Sequence, residues 1–296
     1  MMINEPPPTI RALLEFTASR LKSDTPYLDA QVLLAHIAQQ PRSWLLAHPE
    51  ASLSTPELEK LHQALSRLES GEPLPYVLGH WEFFGLDFVV TPDVLIPRPE
   101  TELLVERAIG WLQAHANERP RPRVVDVGTG CGCIAIAIAT HLPTARLLAT
   151  DISYPALRIA RQNARNSRLH QRIDFLQCDL LPPPPHGLPT ALHFDLICAN
   201  LPYLPTQTLR CLPIYGREPT LALNGGEDGL DLIRRLLTVV PRWLKPGGRI
   251  MLEIEASQGS RALSLAYDTF SEAEIHLHKD LAGHDRLVEI QLTNLP

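Results

Sequence analysis

The spacing of apolar residues changes character twice along the chain. From residue 9 to about 70 they recur at intervals of three and four, the period of a helix. Ile10, Leu13, Leu14 and Leu21 share a face behind Thr9, whose hydroxyl suits an N-cap. Leu28, Val32, Leu33 and Ile37 repeat the pattern. Leu58, Leu61, Leu65 and Leu68 do so again behind Thr55-Pro56, with proline in the first turn, where helices tolerate it. A small helical domain is expected here. Between Gly71 and Pro99 the pattern shortens. Trp81, Phe83, Phe84, Phe88, Val89 and Val90 flank Gly85, which predicts a hairpin. A helix through Leu103, Leu104, Ala108 and Leu112 follows.

From residue 123 strands and helices alternate. Apolar runs predict strands at Arg123–Val127, Ala145–Thr150, Ile173–Gln177, Phe194–Ala199 and Arg249–Glu255. Helices are expected at Ile134–Ala139, Ala156–Ser167 and Asp231–Leu244, the last ended by Pro246-Gly247-Gly248. Ile275–His278 and Leu287–Leu292 read as a closing antiparallel pair. Alternation of this kind predicts a doubly wound, mostly parallel seven-stranded α/β sheet. The expected division is a helical domain over 1–72, a β-hairpin linker over 73–99 and an α/β domain over 100–296.

Composition narrows this picture. The chain has 296 residues, 45% hydrophobic and 20% charged, the profile of a globular protein with a sizeable core. Its net charge of -6 argues against a protein that coats nucleic acid. The five cysteines include no Cys-x-x-Cys pair, so neither a disulfide framework nor a zinc site is expected, and a reducing, cytoplasmic setting is. No signal peptide and no run of ~18 apolar residues is visible. Pro6-Pro7-Pro8 and Pro182-Pro183-Pro184-Pro185 read as stiff connectors.

Three segments carry candidate chemistry. Asp126-Val127-Gly128-Thr129-Gly130-Cys131-Gly132 follows the first strand of the α/β region. Its spacing is G-x-G-x-G, which is neither the dinucleotide fingerprint nor a P-loop. Its glycines let a ligand approach bare backbone, and the helix N-terminus beyond can face a carboxylate; the plain alternative is an ordinary tight turn. Asp151 ends the next strand, where a carboxylate accepts hydrogen bonds from ribose hydroxyls or caps the following helix. Asp179 follows the third strand, at the level of an adenine, or is a loop acid before Pro182. Asn200-Leu201-Pro202-Tyr203 closes the fourth strand, at the sheet edge where ligands bind. The Asn200 side-chain carbonyl and the Leu201 main-chain carbonyl suit the two protons of a planar NH2 group. Pro202 stiffens the turn and Tyr203 offers a face for stacking. An amide nitrogen is a poor nucleophile, so catalysis there is mostly positioning. The set points to methyl transfer from S-adenosylmethionine to nitrogen, with a plain proline turn as the alternative for the last segment.

The first two segments resemble class I S-adenosylmethionine-dependent methyltransferases. Nearly the whole chain resembles one branch, the HemK/PrmC-like release factor glutamine N5-methyltransferases. The resemblance rests on Pro75-Tyr76-Val77-Leu78-Gly79, on Leu95-Ile96-Pro97-Arg98-Pro99-Glu100-Thr101-Glu102, on Asp126-Val127-Gly128-Thr129-Gly130, on Gly225-Gly226-Glu227-Asp228-Gly229-Leu230 and on Asp280-Leu281-Ala282-Gly283-His284-Asp285-Arg286. It implies that Gly128, Thr129, Gly130, Cys131 and Gly132 meet the cofactor, with Asp151 at its ribose and Asp179-Leu180 at its adenine. It also implies that Asn200, Leu201, Pro202 and Tyr203 hold the substrate glutamine, that of the Gly-Gly-Gln loop of class 1 release factors. The helical domain is then a docking module, with no membrane or nucleic-acid partner. Leu201 departs from the usual Asn-Pro-Pro-Tyr. Asn-Leu-Pro-Tyr is the spelling of ribosomal-RNA adenine dimethyltransferases, so adenine N6-methylation is the alternative activity, beside glutamine methylation of a ribosomal protein. Arg98 and Glu100 are read either as gating or partner-binding residues or as a helix start, and Glu102 as a helix start.

Overall fold

The computed structural model describes residues 8–182 and 193–293. Pro6-Pro7 and Pro183-Pro184-Pro185 lie outside them. The chain divides into two compact units, residues 1–79 and 80–296.

The first unit is helical: α1 (Ile10–Arg20), α2 (Pro26–Ala38), α3 (Arg42–Ala47), α4 (Thr55–Glu69) and α5 (Leu74–Leu78). Thr9 caps α1, accepting from the Ala12 amide at 3.3 Å. Helix α4 starts at Thr55-Pro56, as expected, and is capped by Ser54, whose amide and hydroxyl both donate to Glu57. The buried face of α2 is Ala30, Leu33, Leu34 and Ile37, whereas Leu28 is 40% exposed.

The second unit opens with a hairpin, β1 (His80–Phe83) and β2 (Leu86–Val89). Phe83 and Phe88 are each 1% exposed and pack with Leu104 and Ala108 of α6 (Glu102–Ala114). The expected three-part division gives this hairpin to a linker; in the structure it belongs to the core of the second unit. Burying two phenylalanines contributes several kcal/mol, at roughly 1.5–3 each, which a free spacer would forgo.

The main sheet has the order β5-β4-β3-β6-β7-β9-β8. Its strands are β3 (Arg123–Val127), β4 (Arg146–Asp151), β5 (Ile173–Gln177), β6 (Phe194–Ala199), β7 (Leu244–Glu253), β8 (Glu274–Lys279) and β9 (Asp285–Gln291). The first five are parallel and β9 runs antiparallel between β7 and β8. The connecting helices are α7 (Cys133–His141), α8 (Tyr154–Asn166), α9 (Thr206–Cys211), α10 (Asp231–Val239) and α11 (Gly259–Thr269). Every residue of β6 is buried, as expected for a parallel strand covered on both faces. The chain builds outward from β3 to β5 and then returns to β6, so the order reverses between β3 and β6. Ligands bind outside the strand ends at such a reversal.

Most limits shift by a residue or two, and two differ by more. Helix α10 stops at Val239 because Pro241 disfavours helical backbone before it, and a single 3-10 turn, Val240–Arg242, follows. Strand β7 therefore starts at Leu244 and runs through Pro246-Gly247-Gly248, with an irregularity in its pairing to β6. Helix α11 was not expected: its buried residues are Gly259, Ala262 and Ala266, too small to write a strong apolar period.

Candidate active site

The glycine turn joins β3 to α7. Gly128, Gly130 and Gly132 have φ of 72°, 56° and 88°, left-handed backbone that L side chains rarely adopt. A Cβ on Gly130 would meet nothing within 4 Å, so its backbone is open to a ligand. One on Gly128 would stand 3.0 Å from Leu201 Cδ2, and one on Gly132 would press on Ile136 and Ala160 at 3.1 and 3.2 Å. Gly132 thus serves helix packing. The Gly128 and Thr129 amides both donate to the Thr150 carbonyl at 2.9 Å. Asp126, 0% exposed, accepts from the Thr129 hydroxyl at 2.6 Å and the Ala135 amide at 3.3 Å, tying strand end to helix start. Burial pushes its carboxyl up to about 7.

Asp151 faces this turn from the end of β4. Its Oδ2 accepts from the Gly130 amide at 2.9 Å and its Oδ1 from the Ser153 amide at 2.8 Å. Burial raises its pKa, while hydrogen bonds from the Ser153, Gly130 and Ile152 amides oppose the rise. The cap of α8 is Ser153, which accepts from the Ala156 amide, so Asp151 is left for the turn and the cavity beside it.

That cavity holds about 550 Å³, within the usual ~300–1,000 Å³ of small-molecule sites. Of the expected residues, Gly128, Gly130, Asp151, Asp179, Leu180, Asn200, Leu201 and Pro202 line it. Thr129, Cys131, Gly132 and Tyr203 are not on its wall. The Thr129 hydroxyl turns inward to Asp126. Cys131 is 2% exposed, and its carbonyl accepts from Asn163. Asp179 accepts from Arg235 at 2.6 Å, and Leu180, at φ 60°, is pinned by the Thr150 hydroxyl donating to its carbonyl. Ile152, 50% exposed, adds an apolar face to the wall that the sequence reading missed. A bare-backbone turn, a carboxylate and an apolar face suit an adenosyl group with an amino-acid tail.

Asn200-Leu201-Pro202-Tyr203 leaves β6 on the opposite side of the strand-order reversal. Asn200 Nδ2 donates to the Thr101 hydroxyl at 2.9 Å. Asn200 Oδ1 accepts no hydrogen bond among the described residues and is left for a ligand. Leu201 is 3% exposed and packs its side chain over Gly128, so the substitution of leucine for proline joins the two turns. Tyr203 points away from the cavity, its hydroxyl 3.4 Å from Glu253 Oε1. Burial, first, and the Glu253 charge raise its pKa, which keeps the phenol protonated.

The turn is braced from several directions. The Tyr203 carbonyl accepts from Gln258 Nε2 at 2.8 Å, and the Gly225 amide donates to the Leu204 carbonyl at 2.8 Å. A Cβ on Gly225 would lie 2.6 Å from the Pro202 carbonyl oxygen, so the two backbones meet only because residue 225 lacks one. Arg98 donates to Glu218 at 2.5 Å, and the other oxygen of Glu218 accepts from the Ile96 amide at 3.1 Å. Glu102 starts α6, as expected, and also accepts from the Phe84 amide. Asn163 on α8 binds both the amide and carbonyl of Val89, linking the hairpin to Cys131. Asn163 and Gln258 were not singled out from sequence, since polar residues scattered over the chain carry no spacing signal; Thr101 lies in the 95–102 run with no role of its own read there.

Fold and cavity together define a class I methyltransferase. Residues 124–212 match the methyltransferase domain family, and residues 12–79 the PrmC N-terminal domain. A methyltransferase structure from Pyrococcus furiosus superimposes with a TM-score of 0.50 at 16% identity, over 82% of this chain and 100% of that one, a likeness of fold. The release factor glutamine methyltransferase of Moorella thermoacetica is 41% identical over 282 residues, 94% of this chain and 96% of that protein. That of Rhodopirellula baltica is 38% identical over 293 residues, 97% and 98% of the two. The chain belongs to the release factor glutamine methyltransferase family. Among the described residues, no helix is long and apolar enough to cross a membrane.

Proposed function

We propose that this protein transfers a methyl group from S-adenosylmethionine to N5 of the glutamine in the Gly-Gly-Gln loop of class 1 release factors. When bound, the cofactor supplies a methyl on a positively charged sulfur. Gly130 and Gly128 offer it bare backbone, Asp151 two carboxylate oxygens for its ribose, and Asp179-Leu180 the rim for its adenine. Asn200 Oδ1 and the Leu201 carbonyl accept the two protons of the substrate amide and turn its nitrogen toward the methyl. The sulfonium loses its charge as the bond forms, so no strong base is required, and the site works by alignment. The observation that carries this reading is the Asn200 carboxamide held at its nitrogen by Thr101, with its oxygen left to the cavity. The helical unit is assigned to docking the factor.

The test is to supply a labelled methyl donor with either a release factor or ribosomal RNA. Label on the factor, lost when its glutamine is replaced, is expected. Label on RNA adenine would point to the alternative activity. Removal of residues 1–79 should slow methylation of the intact factor far more than that of a short Gly-Gly-Gln peptide. Equal slowing would remove the docking role.

A further inference from the structure

One stretch that walls the cavity has no helix or strand of its own. Residues 90–98 lie between β2 and the turn that opens α6, and Asp93, Val94 and Leu95 line the cavity. Such a stretch keeps its shape through its anchors. At one end the Val89 amide and carbonyl are both held by Asn163, which also holds the Cys131 carbonyl of the glycine turn. At the other end the Thr101 hydroxyl meets Asn200. Between them stands Glu218, whose side chain is 4% exposed. One of its oxygens accepts from the Ile96 amide at 3.1 Å and the other from Arg98 at 2.5 Å. Pro219 follows directly and begins a second wall of the cavity, Pro219-Thr220-Leu221-Ala222. The residues after that wall hold the end of the Asn200 turn: the Leu204 amide donates to the Leu223 carbonyl at 3.0 Å, and the Leu204 carbonyl accepts from the Gly225 amide at 2.8 Å. Residues 90–98 therefore bridge the glycine turn and the Asn200 turn, and one buried carboxylate fastens them to the second wall.

We infer that Glu218 is a positioning residue that latches the 90–98 strap to the 219–222 wall and thereby holds the methyl donor in the cavity. A carboxylate offers acceptors only, and the two oxygens of Glu218 are engaged at two different points of the strap. The Ile96 bond fixes main chain. The Arg98 bond adds opposite charge where little water competes, which makes it one of the stronger kinds of hydrogen bond. Loss of either partner leaves a buried charge unpaired, so the latch stays shut while both are present. Pro219, with its ring-fixed φ, passes the anchorage from Glu218 to the wall. Val94 and Ile96 are buried, so cutting the latch loosens the strap without unfolding it. Of the two functions read for Arg98, gating is the one its geometry serves, since its guanidinium is engaged with Glu218.

This inference rests on the reading of the cavity as the donor site, and its test separates it from the proposed reaction. The probe is S-adenosylhomocysteine, the donor without its methyl group, and its release from the full-length protein is timed by stopped-flow displacement. Glu218→Gln keeps an acceptor for the Ile96 amide and loses the charge; Arg98→Met removes the charge from the other side. Each should speed release ~10-fold or more, and the double variant little further than either, as for residues that act through one another. Arg98→Lys should restore most of the slow release, since it keeps a cation for Glu218. A merely structural pair would lower the melting temperature and leave the release rate of the folded protein unchanged. That unchanged rate, or fully additive effects, would overturn the inference while leaving the proposed reaction intact. Label on RNA adenine instead of the release factor, with the release rates as expected, would do the reverse. Failure of S-adenosylhomocysteine to bind the wild type would overturn both. If Glu218→Gln melts too low to study, the Arg98→Met and Arg98→Lys pair decides by the same release rate.

Discussion

The two turns that face each other across the cavity are built on opposite plans. The glycine turn is mostly local: Asp126, Thr129, Ala135, Thr150 and Asp151 hold it from within one strand–helix–strand unit, and Asn163 of the next helix adds a bond to the Cys131 carbonyl. The Asn200 turn is assembled from afar. Its partners are Thr101, 99 residues away in sequence, Glu253, 50 away, and Gln258, 55 away from the residues they touch. The lesson is that the two halves separate energetically: damage to the distant supports of Asn200 should spare the half assigned to the cofactor.

The largest effect should come from Asn200→Ala. We expect methyl transfer to fall about 10²–10³-fold, the cost of losing one preorganised acceptor, with donor affinity within a few-fold. Equal losses in both, measured by kinetics and calorimetry, would merge the two halves. Next is Gly225→Ala, which drives a Cβ to 2.6 Å from the Pro202 oxygen and 2.8 Å from Tyr203 Cα, backbone atoms that cannot step aside. A loss of ~1–3 kcal/mol in stability is expected, with kcat reduced and donor binding retained. Thermal melts and donor titrations would show whether the distant brace matters. Asp151→Ala tests the other half: donor affinity should weaken by ~1–3 kcal/mol, since a charged acceptor is lost. Unchanged affinity would take Asp151 out of the site.

The smallest effect concerns pH. Asp126 has its carboxyl raised from 3.8 to about 7 in the folded state. The folded protein therefore prefers it protonated. Its contribution is full below about pH 4, declines as pH rises toward 7 and is level above that. The Tm of wild type should fall more between pH 5 and 8 than that of Asp126→Asn, by roughly 2 °C or more. Parallel curves would mean that the acid inside the glycine turn does not titrate in this range.

The same contrast decides what could be read in advance. Strands β3, β5 and β6 match their expected limits: β3 and β6 are buried along nearly all their length, as covered parallel strands are, while β5 is a partly exposed edge strand. The glycine turn was legible because its partners sit within one short stretch. Even so, Thr129, Cys131 and Gly132 hold the turn and its helix and do not line the cavity, a distinction between neighbours that spacing cannot make. The limits of α10 and β7 were missed because Pro241 was weighed less than the Pro246-Gly247-Gly248 run.

By itself the sequence determined the succession of strands in the main sheet, the glycine turn and the family to which the chain belongs, since each follows from residues close together along the chain. Tertiary structure alone decided that the hairpin phenylalanines enter the core and that Leu201 lies over Gly128. It also decided that Thr101 stands behind Asn200 and Glu253 behind Tyr203. Hydrogen-bond direction and burial depend on what distant segments bring to one point, and that meeting is written in no local pattern.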